Sequence, residues 1–344
     1  MSRRRVHLLV ASIGIELLIA AAVCANQFAS FLAGRHDFIR ALAVVGLGWS
    51  LVMAFASAAI ARSLSEARRA SLDLLSAEQG VLAARQRVLD VLAHHSVDMA
   101  LQPIVDLNAG RAVGAEALAR FRDGRSVDEW LHEAAMTGQG LAIERLTFNA
   151  ALELLDVVPD RGYLSVNASP ELITNTTMVE DLLRAALPLE RLVIEITEHV
   201  KISRYADLHT SLAPLRERGV RIAVDDTGAG YASFSHVLQL RPDIIKIDRS
   251  LITDINADGA RRSLVTALVL LALDLGASVT GEGIEGLGEL RTIATLGVDC
   301  AQGYLLAAPT KDRFRQLRWF ERDWRSLVTD ARTEAAEPKV TVTV

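Results

Sequence analysis

The chain has 344 residues, of which 51% are hydrophobic, and a formal net charge of -5. No block of basic residues stands out, so the composition argues against polymeric DNA or RNA as a partner, because such binding needs a cationic surface that displaces counterions. The two cysteines, Cys24 and Cys300, are too few and too far apart for a disulfide framework or a cysteine-rich metal site. One α/β barrel of roughly 250 residues would use most of this length and leave room for a small extra region.

Two long apolar runs open the chain, at about 8–31 and 38–61. Each is near the roughly 20 residues that a helix needs to cross a bilayer. Arginines at 3–5 precede the first run and Arg62 follows the second, so the positive-inside rule puts both ends in the cytoplasm. Residues 1–62 are therefore predicted to form a membrane anchor of two transmembrane helices. A signal peptide is the alternative for the first run, but the second run would still leave everything downstream in the cytoplasm.

Residues 63–97 are rich in alanine, leucine, arginine and glutamate and contain no proline. Leucines recur every seven residues at Leu75, Leu82 and Leu89, which is typical of an amphipathic or coiled-coil helix. Gly80 and the shortness of the repeat leave open an ordinary helix packed on a core. We predict a helical stalk for this segment.

After the stalk, short apolar runs alternate with helical stretches. The eight predicted strands are 99–105, 112–121, 163–168, 192–197, 220–226, 243–248, 277–282 and 298–304, and the clearest predicted helices are 143–157, 205–218, 259–275 and 287–296. This alternation predicts an α/β fold, a modified (β/α)8 TIM-like barrel over 98–323. The first two strands have no room for a helix between them, so we expect them to pair antiparallel. Residues 324–344 show no core periodicity and are predicted to be a disordered tail.

Carboxylates, an amide and an ammonium lie in or just beyond the carboxyl-terminal halves of six strands. They are Glu116, Asn167, Glu195, Glu198, Asp225, Asp226, Lys246, Asp248, Glu282 and Glu285. A single acid there could simply cap the following helix. In a barrel these ends converge on one face, where such folds place active sites. So many acids at one mouth would repel one another without cations, and oxygen ligands suit Mg²⁺ or Mn²⁺.

Eight short segments give the chain a family resemblance. They are QPIV at 102–105, EALAR at 116–120, VNAS at 166–169, EITE at 195–198, DDTGAGYAS at 225–233, KID at 246–248, GEGIE at 281–285 and QGY at 302–304. In this order they resemble the signature segments of the EAL family of cyclic di-GMP phosphodiesterases. The resemblance implies a bacterial enzyme that uses two divalent ions to hydrolyse cyclic di-GMP to pGpG. It also implies a homodimer, which the predicted anchor would hold on the cytoplasmic side of the inner membrane.

The resemblance also implies a role for each matching residue. The implied metal ligands are Glu116, Asn167, Glu195, Asp225, Asp226 and Glu282. Lys246 corresponds to the lysine beside the attacking water, and a charge pair with Asp248 is its structural alternative. Catalysis would need Glu116, Lys246, Glu282 and Glu198, with Asp248 and Glu285 as supporting carboxylates around the metal-binding loop. The implied substrate contacts are Gln102, Leu118, Arg120, Gln302 and Pro309, of which Arg120 could grip a phosphate.

The match to the family is weaker at three places. Thr227 stands where the family usually has phenylalanine, so the loop that carries Asp225 and Asp226 is expected to lose apolar anchoring. Phe121 replaces the usual tryptophan, and the segment 122–140 is shortened. These departures support an alternative function: a weak or inactive domain that acts as a membrane-tethered receptor for cyclic di-GMP or as a protein-interaction module.

Overall fold

The computed structural model describes residues 19–26, 28, 35–197, 204–228 and 233–328. The chain divides into two compact units, Met1–Gly80 and Val81–Val344. Glu198 and most of the first predicted span, 8–31, fall outside the described residues, as does the chain beyond 328.

A helix of 60 residues runs from Arg35 to His94. Its amino-terminal part is apolar and open, with Leu47 66% and Phe55 73% exposed. Among the described residues it is the one helix that is long and apolar enough to cross a membrane, from Leu42 onward. This helix contains the second predicted span, 38–61. A membrane anchor with two spans stays a prediction.

Eight strands close into a barrel in chain order. They are β1 Val97–Asp106, β2 Arg111–Phe121, β3 Tyr163–Asn167, β4 Leu192–Thr197, β5 Arg221–Thr227, β6 Ile244–Ile247, β7 Ser278–Gly281 and β8 Cys300–Ala301. Strand β1 is antiparallel to both β2 and β8, and every other neighbouring pair is parallel. The predicted barrel with an antiparallel first pair is therefore confirmed.

The reversal of β1 decides where the preceding helix meets the barrel. Val97, the first residue of β1, pairs with Phe121, the last residue of β2. The carboxyl end of β2 belongs to the end of the barrel at which all the parallel strands finish. The chain before β1 therefore arrives at this end, which is called the mouth below.

Strand β8 is much shorter than the predicted run at 298–304. Its ladder holds only Cys300 and Ala301. Beyond them the chain crosses the backbone of Ile284 so closely that a Cβ at Gly303 would lie 2.1 Å from the Ile284 nitrogen. This close crossing takes the chain out of the sheet.

Helices cover the outside of the barrel. They are Val127–Met136, Gly140–Leu152, Pro170–Ile173, Thr176–Arg184, Tyr205–Glu217, Ser233–Leu240, Arg249–Ile252, Gly259–Leu275, Leu287–Leu296 and Arg313–Glu321, with a 3-10 turn at Leu189–Arg191. The helix predicted at 143–157 ends at Leu152 instead. Leu155 and Val157 are buried although they lie in turns. Their apolar side chains extended the helical sequence pattern beyond the end of the helix.

The ordered barrel continues past the predicted boundary at residue 323. The side chain of Trp324 is fully buried, and Val328 is 4% exposed. The indole Nε1 of Trp324 donates to the carbonyl oxygen of Trp319 at 3.0 Å. The segment is too short to show a helical period, which is why the sequence pattern predicted a tail there.

Candidate active site

Strand β5 delivers two consecutive carboxylates to the mouth. Neighbouring residues of a regular strand point to opposite faces. Here the pairing of β5 with β6 shifts register between Val224 and Thr227, and Asp226 has a positive φ of 55°. This irregularity turns Asp226 back toward Asp225. As a result, carboxylate oxygens of Asp225, Asp226 and Glu282 lie within 4.8 Å of one another.

Lys246 occupies the centre of the mouth and is only 2% exposed. Its Nζ lies 2.7 Å from Glu282 Oε1, 2.8 Å from Glu195 Oε2, 3.0 Å from Asp225 Oδ1 and 3.5 Å from Glu116 Oε2. Three strands and the loop after β7 therefore direct a carboxylate toward one ammonium. We call Lys246 and these four acids the charge cluster.

Amides and a hydroxyl fix the acids of the charge cluster. Gln302 Nε2 donates to Glu116 Oε2 at 2.6 Å and to Gln102 Oε1 at 3.0 Å. Asn167 Nδ2 donates to the other oxygen of Glu116 at 3.1 Å. Sequence reasoning missed Ser165, whose hydroxyl donates to Glu195 at 2.5 Å. Ser165 lies two residues before Asn167 on β3, so strand alternation could have identified it.

The charge cluster is not neutral when all its groups are ionised. Four carboxylates and one ammonium give a net charge of about -3, because -4 and +1 sum to -3. Burial, together with the charges of nearby acids, raises the pKa of Glu195 and of Glu282 well above the usual range. Burial opposes ionisation of Glu116 too, but Lys246 and the amide donors outweigh it and lower its pKa. The surrounding carboxylates hold the pKa of Lys246 well above its usual value despite burial.

The donor set fits divalent cations. Every predicted ligand presents a carboxylate or amide oxygen, the type that Mg²⁺ and Mn²⁺ prefer. Asp225 Oδ1 is buried and lies 3.0 Å from Lys246 Nζ, yet it receives no hydrogen bond of good geometry. A buried carboxylate oxygen without a donor, beside an excess of negative charge, is an arrangement that a cation would stabilise.

A cavity of about 590 Å³ adjoins the charge cluster on the side of β2 and β3. Asn167 connects the two, because it lines the cavity and donates to Glu116 of the charge cluster. Two of the predicted substrate residues, Leu118 and Arg120, line it as well, together with apolar side chains such as Leu131. The cavity therefore offers a cationic group and an apolar wall next to the acids.

The other predicted substrate residues lie on β1 or in the chain after β8. Gln102 sits opposite Glu116 in the β1–β2 ladder, and its Nε2 donates to Ala307 O at 2.9 Å. Pro309 is half-buried and precedes Thr310, which bridges to Leu101 on β1. Gln302 thus contacts the charge cluster directly and Gln102 contacts it through Gln302, whereas Pro309 lies beside the cluster without a hydrogen bond to it.

The supporting carboxylates have other partners. Asp248 does not pair with Lys246; it caps the helix Arg249–Ile252 by accepting from Ser250 N at 2.9 Å. Glu285 forms an ion pair of 2.8 Å with Arg249. These contacts link the end of β6 to the loop that carries Glu282. The place of Glu198 lies outside the described residues.

The places where the sequence departs from the family are well packed. Thr227 is fully buried at the end of β5 and pairs with Ile247, although residues 229–232 after it fall outside the described chain. The ring of Phe121 stacks on Trp130 at 4.8 Å between centroids. Trp130 belongs to the helix Val127–Met136, which the shortened segment forms.

Comparisons with known proteins agree with this geometry. A family model described as EAL domain matches residues 85–309. The chain is 31% identical over 219 residues to the cyclic di-GMP phosphodiesterase PA2567 of Pseudomonas aeruginosa, covering 60% of this chain and 37% of that protein. It is 26% identical over 236 residues to the blue light- and temperature-regulated antirepressor BluF of Escherichia coli, covering 65% and 57%.

A solved structure gives a similar result. The manganese and cy-diGMP complex of Klebsiella pneumoniae BlrP1 at pH 6 superposes with a TM-score of 0.57 at 30% identity, covering 62% of this chain and 56% of that one. The matched segment is less than two thirds of each of these three relatives.

Proposed function

Because the chain belongs to the EAL domain family, we propose that it hydrolyses one phosphodiester bond of cyclic di-GMP to give linear pGpG. The observation that carries the proposal is the charge cluster, in which four carboxylates, three of them buried, surround the buried Lys246. A water oxygen joins phosphorus as the bond from phosphorus to a ribose 3′ oxygen breaks. Two divalent cations, Mg²⁺ or Mn²⁺, would neutralise the charge that gathers on phosphorus and lower the pKa of the attacking water.

The residues that would hold these cations are the acids of the charge cluster with their neighbours on β3 and β5. They are Glu116, Asn167, Glu195, Asp225, Asp226 and Glu282. Lys246 acts as a fixed hydrogen-bond donor and positive charge, because its carboxylate neighbours keep it protonated. In this position Lys246 orients the attacking water and favours its hydroxide form over neutral water.

The cavity beside Asn167 would receive one part of the nucleotide. Arg120 lies at its rim, and its guanidinium suits a phosphate oxygen pair. Leu118 and Leu131 offer apolar surface to a base or ribose. Gln302 donates to both Glu116 and Gln102, so the two glutamines would align the reacting phosphate indirectly as well as by contact.

Loss of a carboxylate from the charge cluster tests the enzyme proposal. Glu116→Ala should abolish hydrolysis of cyclic di-GMP in the presence of Mg²⁺ or Mn²⁺, measured by chromatography of the nucleotides. Glu153→Ala is the matched control, because Glu153 is exposed at the end of the helix Gly140–Leu152. Wild-type turnover in Glu116→Ala would refute the assignment.

We also propose that the protein is held in the bacterial inner membrane with the barrel in the cytoplasm. The support is the apolar helix from Leu42 and the arginine clusters on either side of the two apolar runs. Reporter fusions at the carboxyl terminus should be active only if the reporter works in the cytoplasm. A periplasmic reporter that is active there would contradict this topology.

A homodimer is proposed through the helix that precedes the barrel. Leu75, Leu82 and Leu89 are 55%, 64% and 39% exposed and recur every seven residues. Such spacing matches the seam of a two-helix coiled coil. Leu82→Glu should shift the detergent-solubilised protein toward the monomer in light-scattering measurements, whereas a dimer that persists would exclude this seam.

A receptor that binds cyclic di-GMP without cleaving it is the second candidate. It is favoured by Thr227, which stands where the family usually has phenylalanine, and by the likeness to BluF, a relative named as an antirepressor. Equilibrium dialysis with cyclic di-GMP and Mn²⁺, followed by analysis of the nucleotide, separates the two functions. Binding of nucleotide and metal without any pGpG would favour the receptor.

A further inference from the structure

The last turns of the long helix pack on the barrel next to the cavity. Val88 is fully buried in a small apolar cluster with Phe121, Trp130, Ala134 and Ile143. This cluster is separate from the main core between strands and helices. It exists because β1 is reversed, so the preceding helix reaches the barrel at the mouth and not at the opposite end.

A buried carboxylate ties this helix to its neighbour. Glu133, only 9% exposed, accepts hydrogen bonds from Arg87 on the long helix and from Arg125 in the loop before Val127. The Arg87 Nε contact measures 2.9 Å. Arg125 also pairs with Asp123 at 2.6 Å and lies 4.1 Å over the ring of Trp130. We call Arg87, Arg125 and Glu133 the clamp.

The helix Val127–Met136 contacts the clamp on one side and the cavity on another. Trp130, Glu133 and Ala134 are buried toward the clamp and the small apolar cluster. Val127 and Leu131 line the cavity that also holds Arg120. Positions four apart in a helix share a face, so one rigid element joins the clamp to the cavity wall.

We propose that Glu133 is a positioning residue, which sets the shape of the nucleotide cavity according to how the helix end at 81–94 is seated. The inference rests on the proposed function in one respect, that the cavity receives part of cyclic di-GMP. A shift of Arg87 is passed through Glu133 to the wall formed by Val127 and Leu131. The segment before the barrel thereby controls nucleotide affinity without contacting the nucleotide.

The charges of the clamp explain why Glu133 is needed. The carboxylates of Glu133 and Asp123 together balance the charges of the two guanidiniums, Arg87 and Arg125. Removal of Glu133 would leave Arg87 and Arg125 close together without their shared carboxylate. It would also add to an existing deficit, because Nη2 of Arg125 is already buried without a hydrogen-bond partner. The side chain of Arg125 is only 29% exposed, so it would lose a charge partner in a partly desolvated place, and the helix Val127–Met136 should loosen.

The test compares Arg87→Ala and Glu133→Gln in the full-length protein in nanodiscs. Each should weaken cyclic di-GMP binding and raise KM about three- to tenfold while kcat stays within about twofold, the range expected for coupling through a packed element. The double variant should be no worse than Glu133→Gln, because Glu133→Gln already removes the ion pair that Arg87→Ala breaks. Arg145→Ala is the control, since it removes an exposed ion pair with Asp181.

Two readouts separate this inference from the proposed function. Backbone hydrogen exchange over 127–140 should be faster in Arg87→Ala than in wild type, whether or not nucleotide is present. If wild type binds no cyclic di-GMP, the proposed function is wrong. If hydrogen exchange over 127–140 is unchanged in Arg87→Ala, the proposed role of the clamp is wrong as well. If wild type binds and both variants bind equally well, the inference is wrong. Arg87→Ala keeps the test valid should Glu133→Gln fail to fold, because Arg87 is half-exposed.

Discussion

Two layers of side chains fill the inside of the barrel, and they differ completely in chemistry. The layer far from the mouth is apolar, whereas the layer at the mouth is polar or charged. On five strands the two layers are separated by only two residues: Ile104 and Gln102, Tyr163 and Ser165, Val193 and Glu195, Ala223 and Asp225, Ile244 and Lys246. Residues two apart on a strand share a face, so each strand supplies both layers from one side.

The difference between the layers shows how the barrel separates stability from chemistry. The apolar layer excludes water and contributes free energy of folding through burial. The charged layer above it concentrates acids whose mutual repulsion opposes folding. Changes in one layer should therefore affect a different property from changes in the other.

The largest effect is expected from the charged layer. Asp225→Asn keeps the volume of the side chain but removes a predicted metal ligand, so hydrolysis of cyclic di-GMP should fall by more than about a hundredfold. The midpoint of thermal unfolding should not fall, because the net charge around Lys246 becomes less negative. Tryptophan fluorescence can follow unfolding, since Trp130, Trp319 and Trp324 are all buried in the barrel unit. A large loss of stability in Asp225→Asn would show that the charged layer also stabilises the fold.

The reciprocal change belongs to the apolar layer. Ile104 is 1% exposed, and Ile104→Ala should lower the free energy of unfolding by about 2–5 kcal/mol through lost burial and a residual cavity. At a temperature where the variant is folded, kcat should stay close to wild type. Denaturant unfolding and turnover on the same sample measure both properties. A fall in kcat as large as that of Asp225→Asn would mean that the layers are not separable.

The pH dependence of the metal-free protein sharpens the comparison. Glu195 and Glu282 have raised pKa values in the folded barrel because of burial and nearby acids, above the ordinary value of 4.5. Above pH 4.5 the unfolded chain releases these protons more readily than the folded one, so the free energy of unfolding should fall as pH rises toward 7. The lowered pKa of Glu116 affects stability only below about pH 4.5, where the unfolded carboxyl becomes protonated, so it does not alter the trend between pH 5 and 7. Unfolding at pH 5 and 7 in EDTA, repeated in excess Mg²⁺, should show that the ion removes the decline.

The smallest effect is expected at the edge of the two layers. The hydroxyl of Thr227 has only a 3.5 Å contact with the carbonyl of Val224, so Thr227→Val should change the free energy of unfolding by at most about 1 kcal/mol. Thr227→Phe should instead destabilise by about 1–3 kcal/mol, because the side chain is fully buried and the new ring would overpack the site. A gain in turnover for Thr227→Phe would show that Asp225 and Asp226 had been held too loosely in the wild type.

Much of the barrel could be predicted because the strands obey simple rules. Short apolar runs alternate with helices, and the missing helix between 105 and 112 alone indicates the reversed β1. The polar residues of the mouth stand at strand ends, where a barrel brings them together. Local sequence pattern was sufficient for both conclusions.

Other features could not be predicted, since they depend on contacts between distant residues. Lys246 could have paired with Asp248, two positions along the chain. Only the closed barrel shows that three other strands and the loop after β7 surround Lys246 with acids. The positive φ of Asp226 is invisible in a sequence that reads as a regular strand. The stacking of Trp130 on Phe121 joins a helix to the end of β2, and the sequence pattern alone did not indicate that contact.

The short strand β8 has a consequence for how an active molecule comes into being. It joins the barrel seam through only two residue pairs, Val105 with Ala301 and Asp106 with Cys300. Directly after it, Gln302 reaches Gln102 and Glu116, which lie 200 and 186 positions earlier in the chain. Closing so long a loop is slow and is favoured only by the contacts made at its end. A ribosome must therefore release the chain past residue 302 before Glu116, already bound by Asn167, gains Gln302 as its second amide partner, and the time course of recovered hydrolysis during refolding would report closure of the seam.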